Sequence, residues 1–291
     1  MTFDIPPQLI ALAAALSYAT SGIAAKRGLR HSTPMTVTLV SLLIHSVGLW
    51  ILVLVTSGIP AVPPLALFLF FITGTLQPVI RLFTYAGIHH MGASRGTTVR
   101  GSHPLFSVTI AIFFLGESAN LWILCGTVLI VAGVTLISWQ AAPPGGLDRW
   151  WHITFPLGAA LLAGISHPIR RYALGLADEP LFFAATVGLV SLFWMGSYML
   201  SPLCRERPRW HRQAIGPFLL AGTFETLGIL LVMLALSAGQ VVVVSPIVAT
   251  SPLWILFGTW LFLQGIERLT LRTVIGAIAV VAGTFAITTT M

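Results

Sequence analysis

Charge is what this sequence most lacks. Only 8% of its 291 residues are Asp, Glu, Lys or Arg, against about 25% in an ordinary soluble domain. A chain that is 56% hydrophobic, with a mean hydropathy of +0.94, cannot cover a water-exposed surface. That excludes a soluble globule and places the chain in a bilayer. Lysine is almost missing: Lys26 stands alone, and the arginines gather in a few loops. The net charge of +7 therefore reads as topology control. No basic domain or aromatic platform points to nucleic acid. The two cysteines, Cys125 and Cys204, are far apart and at no metal-ligand spacing, so neither a disulfide nor a metal is expected. Long polar loops are missing as well. The longest connections are 139–153, with Pro143-Pro144-Gly145-Gly146, and 201–213, so any work is done within the membrane. No Gly-x-x-x-x-Gly-Lys-Ser/Thr occurs, which excludes direct drive by ATP, and no cofactor is expected. Neither Gly-x-Ser-x-Gly nor His-Glu-x-x-His is present to support an intramembrane enzyme. The N-terminus lacks the basic region of a signal peptide, so the first apolar segment reads as retained.

What the sequence does have is a repeat. Residues 73–115 align with 221–263 without a gap, placing Gly74-Thr75 on Gly222-Thr223, Pro104-Leu105 on Pro252-Leu253 and Phe114-Leu115 on Phe262-Leu263. After a two-residue insertion Glu117 falls on Glu267, Gly126 on Gly276 and Val131-Ala132-Gly133 on Val281-Ala282-Gly283. Identity is low. The shared order of glycine, proline and glutamate within matching apolar segments carries the relationship. A membrane protein made of two related halves places its working site between them.

Ten segments are long and apolar enough to span: 8–25, 35–56, 64–88, 94–115 and 121–138, then 154–173, 181–200, 214–236, 241–263 and 271–289. They form two units, 5–140 and 152–290. Five spans per half is an odd number, so the second half enters the membrane from the opposite side and the repeats are inverted. The expected fold is an all-α integral membrane protein, with ten transmembrane helices arranged as two inverted five-helix repeats around a central cavity. Lys26, Arg27, Arg30, Arg95, Arg149, Arg205, Arg207, Arg209, Arg212, Arg268 and Arg272 fall on one side, and only Arg170 and Arg171 on the other. The positive-inside rule makes the first side cytoplasmic and puts both termini outside.

The segment Tyr85-Ala-Gly-Ile-His-His-Met-Gly-Ala-Ser94, followed by Pro104, Glu117 and Gly126 through Gly133-Val134, resembles the EamA-type drug/metabolite transporters. The second half repeats the order with Ala235–Gly239, Pro252, Glu267, Gly276 and Gly283. The resemblance spans nearly the whole chain. It implies a ten-helix basket with a central cavity, in the cell (inner) membrane, that exports or exchanges small metabolites. Members of that family usually keep both termini in the cytoplasm, the reverse of what the arginine distribution indicates here.

Charges within spans are costly, so each one is a site hypothesis. Glu225 lies inside the eighth span and its repeat-mate is Gln77 in the third. Both should face one cavity, with Glu225 taking up and releasing protons; the structural alternative is an ion pair with an arginine. Arg81 belongs to a helical stripe of Thr73, Gln77, Arg81, Thr84 and Tyr85, and Arg100 to another of Thr97, Arg100, His103 and Ser107. Such stripes face a wet cavity or a partner helix. Guanidinium forks suit carboxylate or phosphate, favouring an anionic or zwitterionic ligand. Arg81, nearer its helix end, could instead snorkel to an interface. His103 precedes Pro104 and His167 precedes Pro168, and prolines in spans free carbonyls near binding sites. His45 is a weaker candidate. Ser17, Thr20, Ser21 and Ser166 could add hydroxyl contacts or simply pack helices. Trp254, mate of Phe106, could stack on a substrate. Glu117 and Glu267 read as helix caps or gate contacts. The glycine pairs 126/133 and 276/283 permit close helix approach, to a neighbour or to a second copy in a homodimer.

The leading expectation is a secondary transporter moving an anionic or zwitterionic metabolite, such as an amino acid or organic acid, by alternating access with proton coupling through Glu225. Its partners are the small metabolite, membrane lipids and protons. A lipid-carrier flippase of the same fold and an intramembrane enzyme remain as alternatives.

Overall fold

The computed structural model describes residues 5–91, 96, 99–138, 150–202, 204, 207–262 and 271–288. Among them the helices are α1 (Pro7–Gly28), α2 (Pro34–Thr56), α3 (Pro64–Met91), α4 (His103–Leu115) and α5 (Leu121–Ser138), then α6 (Thr154–Leu176), α7 (Pro180–Leu200), α8 (Arg212–Ala238), α9 (Val241–Val248), α10 (Ser251–Phe262) and α11 (Leu271–Thr288). The protein is an all-helical, multi-pass membrane protein; α9 and α10 are two pieces of one span. Five helices, α1, α2, α3, α7 and α8, are by themselves long and apolar enough to cross a membrane.

Local chemistry sets the helix ends. Pro7, Pro34 and Pro180 open their helices, where the missing N–H would have had no partner anyway. Thr33 caps α2 by accepting from the Thr36 N–H. The outward faces carry Phe113, Phe114, Phe193 and Leu200, all exposed, a belt that is favourable only against lipid.

Spans four and nine are interrupted at matching places. In the first half, residues 101–102 form a turn before α4, in which Ser102 N–H donates to Val99 at 3.2 Å and Leu105 N–H to Ser102 at 3.0 Å. In the second half, residues 249–250 form the equivalent turn between α9 and α10. There Thr250 N–H donates to Ile247 at 3.1 Å and Leu253 N–H to Thr250 at 2.9 Å. Pro104 and Pro252 cause both breaks: neither has an N–H to give to the carbonyl four residues earlier, and each ring crowds that carbonyl.

Helix packing crosses between the halves. α1 lies on α8, α3 on α6, α2 on α7, α4 on α9 and α5 on α11. The mates Gly74 and Gly222 show the symmetry at atomic scale. A Cβ on Gly74 would meet Val190 and Val187 of α7, and one on Gly222 would meet Ile44 and Ser41 of α2. The glycines of the fifth and tenth spans pair within the chain. Gly126 and Gly283 pack backbone to backbone, as do Gly133 and Gly276, so a Cβ at Gly126 would fall 2.7 Å from the Gly283 carbonyl.

Candidate substrate cavity

The helices that pair across the halves enclose a cavity of about 60 Å³, room for a handful of waters. Its polar wall comes from both halves: Tyr18 and Ser21 of α1, Gln77, Thr84 and Tyr85 of α3, Arg100 and His103 at the first break, Ser166, His167 and Arg170 of α6, Glu225 of α8 and Ser251 at the second break. Both helix breaks thus open onto one space, where irregular backbone is tolerated because it lines a cavity.

Gln77 and Glu225, paired by the repeat, both reach this cavity. Glu225 accepts from the Ser21 hydroxyl at 3.1 Å, and among the described residues no arginine pairs with it. Arg170 donates to Gln77 Oε1 at 2.7 Å. Arg100 stands over the Tyr18 ring, 5.9 Å from its centroid, a cation–π placement that holds a guanidinium without cancelling its charge. The Nε atoms of Arg100 and Arg170 are buried without a hydrogen-bond partner.

The two histidines meet at the base of the site. The rings of His103 and His167 stand edge to face with centroids 5.2 Å apart. His167 Nδ1 lies 3.2 Å from the Ser245 hydroxyl, which is 2.6 Å from the Ser107 hydroxyl. This chain of polar contacts joins α6, α9 and α4.

Other candidates sit elsewhere. Arg81 is only 2% exposed. It turns away from the cavity to α2, donating to Ser41 Oγ at 2.7 Å and meeting His45 Nδ1 at 2.8 Å. His45 Nε2 in turn contacts the Ala184 carbonyl of α7 at 3.0 Å. Arg81 and His45 therefore fasten α3, α2 and α7 together, and Arg81 does not snorkel. Trp254 packs edge-on to Phe257, away from the cavity wall. Ser17 and Thr20 bond back to the Ala13 and Leu16 carbonyls of their own helix. Thr97 and Glu267 lie outside the described residues.

Arg170 is the residue that sequence reading misplaced. Counted there with the loop on the termini side, it is 3% exposed within α6 and forms part of the cavity wall. Its helical spacing from Ser166 and His167, within the span 154–173, was the available signal. The neighbouring Arg171 donates to the Leu236 and Ser237 carbonyls at 2.8 and 3.0 Å, and Glu117 accepts from the Val241 and Val242 N–H groups, both at 3.0 Å. Arg171 and Glu117 thus grip the α8–α9 corner from either side, each at the helix end its charge favours. They line a second, more open hollow of about 370 Å³ on the termini side. On the arginine-rich side, Ser32 Oγ donates to the Arg209 carbonyl at 2.5 Å and Arg209 N–H donates to Thr36 Oγ1 at 2.9 Å.

A model of the EamA-like transporter family matches residues 6–139 and again 150–289. The chain belongs to the EamA-like transporter family. A solved crystal structure shares the EamA-like fold of this chain at TM-score 0.77 and 16% identity, over 97% of this chain and 98% of that one. Phosphoenolpyruvate/phosphate translocator 1, chloroplastic, of Arabidopsis thaliana is 35% identical over 114 residues, which cover 36% of this chain and 26% of that protein. Phosphoenolpyruvate/phosphate translocator 3, chloroplastic, of Oryza sativa subsp. japonica is 28% identical over 120 residues, covering 41% and 29%. The EamA-like chain therefore matches less than a third of the length of these curated relatives.

Proposed function

We propose that the protein is a secondary transporter in the cell (inner) membrane that exports or exchanges a small organic anion or zwitterion by alternating access. The observation that carries this reading is the pairing of Arg100 and Arg170, from opposite halves, in one cavity whose acid, Glu225, pairs with neither. Two guanidiniums held by a tyrosine face and a neutral amide keep their charge available for a carboxylate or phosphate. The relatives that are named as phosphoenolpyruvate/phosphate translocators support an acidic substrate. Glu225, within reach of Ser21, serves as the proton-coupling group or as the partner of a substrate amine. With Arg170 buried, the termini side keeps Arg171 alone of the loop arginines counted there, which supports termini outside the cytoplasm.

The test is a ligand-dependent thermal-shift screen of the purified protein against amino acids, organic acids, sugar phosphates and cationic drugs. Stabilisation by anionic or zwitterionic compounds is expected. Stabilisation by cationic drugs alone overturns the reading.

A further inference from the structure

We infer that His103 selects substrates that carry a hydrogen-bond donor, a hydroxyl on the organic acid, beside the anionic group. The inference deepens the anion reading above and rests on it.

The argument begins with Pro104. Lacking an N–H, it leaves the Arg100 carbonyl without its helical partner. His103 Nδ1 stands 3.3 Å from that oxygen. A carbonyl only accepts, so the ring hydrogen sits on Nδ1 and the ring substitutes for the missing backbone donor. In the neutral ring, Nε2 is then a bare acceptor. His103 is 5% exposed, its ring lines the cavity, and Nε2 is buried without a partner. A buried acceptor left unpaired is unfavourable, so a ligand that supplies a donor removes that cost and one lacking it does not. Ser166 sits in the same wall, 1% exposed, with its hydroxyl also unpartnered; it can donate to or accept from the same ligand group. The second half has Ser251 where the first has His103, so the acceptor-only imidazole nitrogen on this side is matched by a hydroxyl that can also donate on the other, and the difference orients the ligand.

The experiment compares hydroxy acids with keto acids of the same skeleton, lactate against pyruvate and 2-hydroxyglutarate against 2-oxoglutarate, by thermal stabilisation of the full chain in lipid nanodiscs. The hydroxy form should reach half-effect at about tenfold lower concentration, since a site built around a substrate hydroxyl discriminates against its absence. In His103→Phe the ratio should fall to about one, whatever the shift in the absolute midpoints. His103→Asn, whose amide can both donate to the Arg100 carbonyl and present an oxygen, should keep part of the preference and guards against a folding defect in the phenylalanine variant. Equal midpoints in the unaltered protein, or a ratio that survives in His103→Phe, overturn the inference while leaving the anion reading intact. Stabilisation by neither member of either pair overturns the inference alone; the anion reading then stands or falls on the amino acids, sugar phosphates and cationic drugs of the wider screen.

Discussion

Arg170 reaches from α6 to Gln77 on α3, donating to its Oε1 at 2.7 Å, and so ties the two halves together at the cavity wall. The repeat places a carboxylate, Glu225, where the second half has its counterpart of Gln77. The arginine is thus held by the neutral member of the pair.

Gln77→Glu tests that arrangement with almost no change in shape. It gives Arg170 a charged partner and cancels the positive charge offered to the ligand. Charge-assisted hydrogen bonds are worth about 1.5–3 kcal/mol, so anion affinity should fall roughly 10- to 150-fold, read from ligand-dependent thermal shifts. Arg170→Gln should lose affinity by a similar factor. Unchanged affinity in both variants removes Arg170 from the binding site.

Glu225→Gln should keep its contact with Ser21, because an amide oxygen can accept the same hydroxyl. Substrate binding is expected to persist, while accumulation driven by an imposed pH gradient in proteoliposomes is lost. Transport that continues at the original rate with its pH dependence intact would remove Glu225 from coupling.

Glu117 closes the N-terminus of α9 with both carboxylate oxygens. Glu117→Ala should cost about 0.5–2 kcal/mol, the range for losing a helix cap, seen as a lower unfolding temperature. Glu117→Gln retains one accepting oxygen and should fall between the two. Equal stability of all three proteins would mean that the α9 end is held by other contacts.

Gly126 and Gly133 leave no space for a side chain. A Cβ at Gly133 would lie 2.6 Å from the Gly276 carbonyl, and backbone cannot move aside as a flexible side chain can. Gly133→Leu should destabilise by about 1–3 kcal/mol, the usual cost of overpacking. Gly48 has nothing within 4 Å of its added Cβ, so Gly48→Ala should be neutral or slightly stabilising by the same melting measurement.

The spans, the repeat and the convergence of Gln77 with Glu225 were legible in the sequence because hydrophobic length and repeat alignment encode them directly. The breaks in spans four and nine were signalled by Pro104 and Pro252, yet they left both spans apolar throughout, so hydropathy ran through them. The polar stripe of α3 was read correctly as facing away from lipid. However, a stripe covers a wide arc: Gln77, Thr84 and Tyr85 meet the cavity while Arg81 is taken by Ser41 and His45 of α2. No local pattern announces that choice, because it depends on residues forty positions away. Arg170 escaped because it adjoins Arg171 near a helix end, where a pair of arginines looks like a loop signal.

The backbone contact of Gly126 with Gly283, and of Gly133 with Gly276, has the form of an interface between two separate polypeptides. Each glycine of α5 touches the counterpart of the other, as in a dimer of identical chains related by a twofold axis. The seam follows the twofold relation of the repeats, while the cavity walls differ in charge between the halves. Co-expressed as two pieces severed in the connection between the units, the halves should still find each other, because the seam and not the covalent tether sets their registration.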